Sequence, residues 1–174
     1  MEQVVLVDEL DNFLGNKEKL QTHIDGDLHR AVSVLIFNTQ GQILLQQRAE
    51  CKYHTPGLWA NAACTHPKED EDPMHAGVRR LQEEMGFACE IAKLFTFIYK
   101  AKLGKNLIEH EFDHVFVGTY DGSVVPNPEE VQAYVWIDMN DLLCDIGDNP
   151  EKYAPWFKII LEKLIELFEA DELA

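Results

Sequence analysis

Cys64 and His66 stand two residues apart in the run Trp59-Ala-Asn-Ala-Ala-Cys64-Thr-His66-Pro67. In extended chain that spacing puts a thiol and an imidazole on the same side of a strand. One can move a proton while the other holds a metal beside it. Two further histidines, His23 and His29, fall in Gln-Thr-His23-Ile-Asp-Gly-Asp-Leu-His29-Arg. Glu109 and Glu111 fall in Leu-Ile-Glu109-His-Glu111-Phe-Asp113, where strand geometry would aim both carboxylates at one face. Three imidazoles and two carboxylates could enclose one divalent cation, and such nitrogen and oxygen donors suit Zn²⁺ or Mn²⁺ better than Ca²⁺. Each of these residues alone is more simply read as structural, and the sequence does not show that they converge.

The elements that must position them are legible in outline. Residues 1–7 read as a strand ending in the turn 8–12, and His23 and His29 fall in a loop before the first long strand. Residues 31–37 and 42–48 read as a hairpin across Asn38-Thr-Gln-Gly41. Residues 58–64 form one short extended segment. Asp72-Pro73 is a helix start, with Asp as N-cap and Pro at the first helical position. Met74, Val78, Leu81 and Met85 then make one buried stripe, and Gly86 closes the helix. Arg80 and Glu84, four residues apart, share a face beside that stripe. Strands follow at 90–101, 107–120 and 131–137, then a short helix from Asp138. A last helix runs from about Pro155 to Glu169, with Phe157, Ile160, Leu161, Leu164, Leu167 and Phe168 inward. This order predicts one domain over residues 1–174 of α+β (mixed α/β) class, a central mixed sheet flanked by helices.

Composition narrows the function. Apolar residues are 46% of the 174, a globular content with room for a real core. No apolar run is long enough to span a membrane. The acidic start lacks a basic region, so a mature N-terminus and not a signal peptide is expected. The four cysteines, Cys51, Cys64, Cys89 and Cys144, form no CxxC pair and fit reduced thiols in a cytoplasmic protein. A net charge of −16 argues against nucleic acid and anionic membranes as partners. An anionic substrate would then need local arginines, lysines or bound metal.

The run Arg79-Arg80-Leu-Gln-Glu83-Glu84-Met-Gly86 resembles the core of a Nudix box. From about residue 4 to residue 157 the chain resembles the type I isopentenyl-diphosphate isomerases, a branch of the Nudix superfamily. The runs that carry the likeness are Leu28-His29-Arg-Ala, Gln47-Arg48-Ala, Pro56-Gly-Leu-Trp59-Ala-Asn61, Ala-Cys64-Thr-His66-Pro67, the Nudix-like helix and Glu109-His-Glu111-Phe-Asp113. Asn-x-x-Cys-x-His-Pro together with Glu-x-Glu is specific, because ordinary Nudix hydrolases need neither.

The resemblance implies a Nudix fold and a diphosphate substrate. It implies that His23, His29, His66, Glu109 and Glu111 hold a divalent metal (Mn²⁺, Zn²⁺ or Mg²⁺). Cys64 and Glu111 would be the proton-transfer pair on opposite faces of the alkene, with Tyr99 supporting Glu111. Glu84 would help hold a Mg²⁺ bridging the diphosphate. Lys19, Arg48, Lys52 and Arg80 would contact the phosphates, and Trp136 would face the hydrocarbon end. The box departs from the full Nudix pattern. Thr65 stands at its Gly position, Glu71 fits its first Glu, and Arg80 stands where hydrolases carry a metal-binding Glu. The isomerase branch tolerates these changes. The alternative, a hydrolase of a nucleoside or other organic diphosphate, needs a carboxylate at position 80.

Overall fold

The computed structural model describes residues 1–52 and 54–173, and the side chains of those up to 171. The chain runs through β1 (Gln3–Val7), β2 (Phe13–Glu18), α1 (Lys19–Asp25), β3 (His29–Phe37), β4 (Ile43–Arg48), β5 (Trp59–Asn61) and β6 (Ala63–Thr65). It continues through α2 (Pro73–Met85), β7 (Ile91–Leu103), β8 (Leu107–Thr119), β9 (Val131–Ile137), α3 (Met139–Asp148) and α4 (Pro155–Leu173). Among the described residues no helix is long and apolar enough to cross a membrane.

The strands form one branched mixed sheet around β3. β8 lies parallel to β3 in unbroken register from His29↔Glu111 to Phe37↔Thr119. β6 is antiparallel to β3, with Ser33 opposite Cys64. β7 pairs with β8 and sets Tyr99 opposite Glu111. Alternation along β3 separates two cores. Val32, Val34 and Ile36 pack with Leu81 and Met85 of α2. Leu35 packs on the other side with Val115, Phe97 and the inner residues of α3 and α4: Leu142, Phe157, Ile160, Leu161 and Leu164. Helices therefore cover both faces, as the element order requires.

α2 begins and ends where its sequence dictates. Asp72 accepts from the backbone N–H of Met74 at 2.9 Å, Pro73 opens the first turn, and Gly86 takes a left-handed φ of 76°. Gly77 lets the helix close on the sheet: a Cβ there would meet Ile91 at 3.0 Å and Val34 at 3.1 Å.

Several local expectations are corrected. The stretch around His23 and His29, expected as a loop, is preceded by β2 and holds α1, so His23 sits on a helix and His29 opens a strand. Glu18 caps α1 by accepting from Leu20 and Gln21, a cap without the usual Ser, Thr, Asp or Asn. The expected hairpin pairs only at Phe37↔Ile43, because β4 turns away to lie between β9 and β5. The segment 58–64 is two strands, one on β4 and one on β3. Met74 is exposed, and Ala76, Gly77 and Glu84 join Leu81 and Met85 on the buried face of α2. Leu167 and Phe168 are also exposed, because α4 runs past the edge of the core. α3 is longer than the short helix expected from Asp138.

Candidate functional site

His23, His29, His66 and Glu111 each offer a ligand atom, all within 4.8 Å of one another. The fold builds this cluster from four separate elements. α1 delivers His23, and its Nδ1 donates to the Lys19 carbonyl at 2.6 Å. β3 delivers His29, whose Nδ1 donates to the Asp27 carbonyl at 2.9 Å. In a neutral ring that bond leaves Nε2 unprotonated and facing inward, the tautomer a metal ligand needs. His66 follows β6, with Nε2 at 3.0 Å from Glu111 Oε1. On β8, Glu109 and Glu111 face the same way: Glu109 Oε2 lies 3.4 Å from His23 Nε2, and Glu111 Oε1 lies 3.6 Å from His29 Nε2.

The donor set fits a divalent cation. His23 Nε2, His29 Nε2 and Glu109 Oε2 are buried and have no hydrogen-bond partner among the described residues. Unpaired buried polar atoms are costly, and a cation would satisfy all three together. Ligands about 2.1 Å from a metal sit roughly 3–3.5 Å apart, close to the spacings found.

Glu111 divides its oxygens. Oε1 faces the imidazoles, while Oε2 accepts from Tyr99 Oη at 2.6 Å. Burial opposes its charge, yet the imidazoles of His29 and His66 hold its carboxyl well below the usual range. Glu109 moves the other way, raised by burial and by the neighbouring Glu111 charge.

Cys64 lies on β6 in a buried polar nest. Its Sγ is 3.2 Å from Asn61 Nδ2 and 3.7 Å from Ser33 Oγ, and Ser33 donates to Asp113 at 2.7 Å. Burial, with the charges of Asp113 and Glu84, pushes its thiol up to about 12. Cys64 therefore carries its proton at neutral pH.

A cavity of about 410 Å³ joins these groups. Cys64, His66, Glu84, Glu109 and Glu111 line it, as do the expected cations Lys19, Arg48, Lys52 and Arg80. Lys19, Lys52 and Arg80 have carboxylate neighbours, while Arg48 contacts His54 and stacks its guanidinium over Trp156. Lys19 meets Glu2 at 3.1 Å, and Lys52 pairs with Glu130. Arg80 reaches Glu130 at 2.8 Å, Glu83 at 3.1 Å and Glu84 at 2.5 Å. Glu84 also accepts from Gln46 and is pushed up by burial against the Arg80 charge. Arg79 is engaged by Glu71 at 2.7 Å.

Trp136, expected at the hydrocarbon end, is not among the described residues that line this cavity. It sits on β9 opposite Leu44 and packs against the core beneath α2. Trp156, at the start of α4, lines the cavity instead and donates its indole N–H to Asn61 Oδ1 at 3.2 Å. The apolar spacing of that helix predicts only a cover for the core. The sequence reading also passes over His54, Glu130 and Ser33. His54 lies in the short segment between Arg48 and Pro56, and its closeness to Arg48 and Lys52 was the available signal. Burial, with the Arg48 and Lys19 charges, pushes His54 down to about 3.

Comparison with known proteins adds to this geometry. Residues 27–162 match the model of the NUDIX domain family. The chain is 46% identical over 164 residues to isopentenyl-diphosphate Delta-isomerase 2 of Aromatoleum aromaticum, covering 94% of this chain and 87% of that one. It is 47% identical to the isopentenyl-diphosphate Delta-isomerase of Serratia proteamaculans, over 94% of this chain and 91% of that one. Among solved structures, a protein of Deinococcus radiodurans aligns with a TM-score of 0.70 at 19% identity, covering 85% of this chain and 90% of that one. A MutT protein of Methanosarcina mazei aligns at 0.65 and 20%, covering 80% and 94%. These two show the shared fold.

Proposed function

The chain belongs to the isopentenyl-diphosphate Delta-isomerase family of the Nudix superfamily, and from that premise we propose how its residues divide the work. The activity is interconversion of isopentenyl diphosphate and dimethylallyl diphosphate. The reaction adds a proton at one carbon and removes one at another, through an intermediate resembling a tertiary carbocation. It needs two proton-transfer groups, an electron-rich wall and little water.

One observation carries the residue assignment: a protonated, half-buried thiol and a carboxylate ringed by imidazoles open into the same cavity. Cys64 and Glu111 serve as the proton-transfer pair. Tyr99 holds Glu111 Oε2 and fixes the carboxylate's rotation. Lys19, Arg48, Lys52 and Arg80 bind the diphosphate and offset the repulsion of a chain of net charge −16. Trp156, rather than Trp136, faces the developing cation. A desolvated indole there is worth about 2 kcal/mol, or roughly thirtyfold in rate.

His23, His29, His66, Glu109 and Glu111 would hold a divalent cation, Zn²⁺ or Mn²⁺ fitting the donors better than Mg²⁺. Bound there, it supplies a Lewis acid that fixes Glu111 and biases its proton. Glu84 is the candidate carboxylate for a Mg²⁺ held mainly by the substrate's phosphates. Cys64 must remain a free thiol, which suits the reducing cytoplasm. Arg80 at the hydrolases' carboxylate position weighs against the hydrolase alternative.

Incubation with isopentenyl diphosphate and Mg²⁺ in deuterated water tests the reading. Dimethylallyl diphosphate carrying deuterium is expected. Phosphate release without rearrangement would assign the chain to hydrolysis.

A further inference from the structure

His54 faces both the phosphate-binding side of the cavity and the metal ligands. Its Nδ1 lies 3.3 Å from Arg48 Nη2, and its Nε2 lies 3.9 Å from Glu109 Oε1. Glu109 has one oxygen for each neighbour: Oε2 is the unpartnered buried atom beside His23, and Oε1 points to His54.

Two overlapping ligand clusters exist here, His23-His29-His66-Glu111 and His23-His54-Glu109. They share His23, which has only Nε2 to give, because Nδ1 is committed to the Lys19 carbonyl at 2.6 Å. One imidazole nitrogen does not serve two separate cations here, so the clusters describe a single centre with His54 at its edge. The proton on His54 decides its part. Arg48 Nη2 is a donor with no acceptor capacity, and the Thr55 hydroxyl, also 3.3 Å from Nδ1, can donate as well. Nδ1 is therefore the accepting nitrogen, and the neutral ring carries its proton on Nε2. A protonated Nε2 cannot ligate a metal, but it can donate to a carboxylate. At 3.9 Å the contact closes by a small ring movement or through one bridging water.

We propose that His54 is a positioning residue: it donates from Nε2 to Glu109 Oε1, in the tautomer imposed by Arg48, and so turns Glu109 Oε2 toward the metal. This rests on the metal-centre reading above. Orientation of a ligand by a hydrogen-bonded neighbour typically changes metal affinity by about 10- to 100-fold.

The test is titration of the metal-free full chain with Co²⁺, reading affinity by calorimetry and ligand geometry by visible absorption. Wild type, His54→Ala and His54→Gln are compared, since a Gln amide can still donate to Glu109. His54→Ala is expected to bind Co²⁺ about 10- to 100-fold more weakly, and His54→Gln to recover most of the loss. The absorption bands keep one shape throughout. Equal affinity in His54→Ala overturns the proposal. So does a His54→Gln variant no tighter than His54→Ala, and a changed band shape would make His54 a direct ligand. No Co²⁺ bound by wild type would overturn the metal-centre reading itself.

Discussion

Trp156 donates its indole N–H to Asn61 Oδ1 at 3.2 Å, joining residues 95 positions apart in the chain. The same Asn61 side chain places Nδ2 at 3.2 Å from Cys64 Sγ and donates to the Ala63 carbonyl at 2.9 Å. One amide thus sets the indole wall and the thiol in fixed relation. It is fully buried, so its four hydrogen-bonding sites must find protein partners.

That linkage makes the two tryptophans a direct test. If the indole acts on the developing cation as proposed, Trp156→Leu is expected to lower kcat by roughly thirtyfold or more, with a smaller change in KM. Trp136→Leu, beneath α2 and outside the cavity lining, should leave kcat near wild type and lower Tm. Steady-state kinetics on both variants would reverse the assignment if Trp136→Leu alone lost turnover.

Cys64→Ala should abolish isomerisation while the chain still folds. Losing a proton-transfer group costs about 10²- to 10⁴-fold in rate, and truncating one partly buried thiol costs far less in stability. Deuterium uptake followed by NMR, beside circular dichroism, separates the two. Turnover near wild type would remove Cys64 from the reaction.

His29→Ala, and independently His66→Ala, should lower both bound metal and activity. Each removes a nitrogen from the buried cluster and leaves Glu111 with fewer neighbours to hold its charge. Elemental analysis of purified variants reads the metal directly. Full occupancy with normal turnover would make these histidines structural.

Arg80 calls for a milder change than charge reversal. Its guanidinium sits among Glu83, Glu84 and Glu130, so Arg80→Glu would add a fourth carboxylate and destabilise the chain. Arg80→Gln should keep the fold better and raise KM through lost diphosphate binding, with kcat less affected. Binding of a non-reactive diphosphate analogue would report the same loss. Unchanged affinity would confine Arg80 to pairing with its carboxylates and pass the clamp to Arg48, Lys52 and Lys19.

The sequence by itself determined what acts over short range. Asp72, Pro73 and Gly86 bound α2 because caps and breakers work within one turn. Runs of β-formers along residues 31–37 and 107–120 marked β3 and β8, and the i, i+2 spacing put Glu109 and Glu111 on one face. The motifs around Cys64, His66 and Glu111 were enough to identify the family. Residues 13–25 escaped because neither a run of β-formers nor a standard cap announces β2 and α1. Only the tertiary structure decided how these pieces meet. The parallel register sets His29 opposite Glu111, and the antiparallel one sets Tyr99 opposite Glu111. Register across a sheet depends on which faces the helices bury, and no local spacing records that. The same holds for placing Trp156 on the cavity and for bringing His54 near Glu109. Those contacts exist because α4 and the loop after β4 fold back over one cavity, driven by burial of surfaces far apart in the chain.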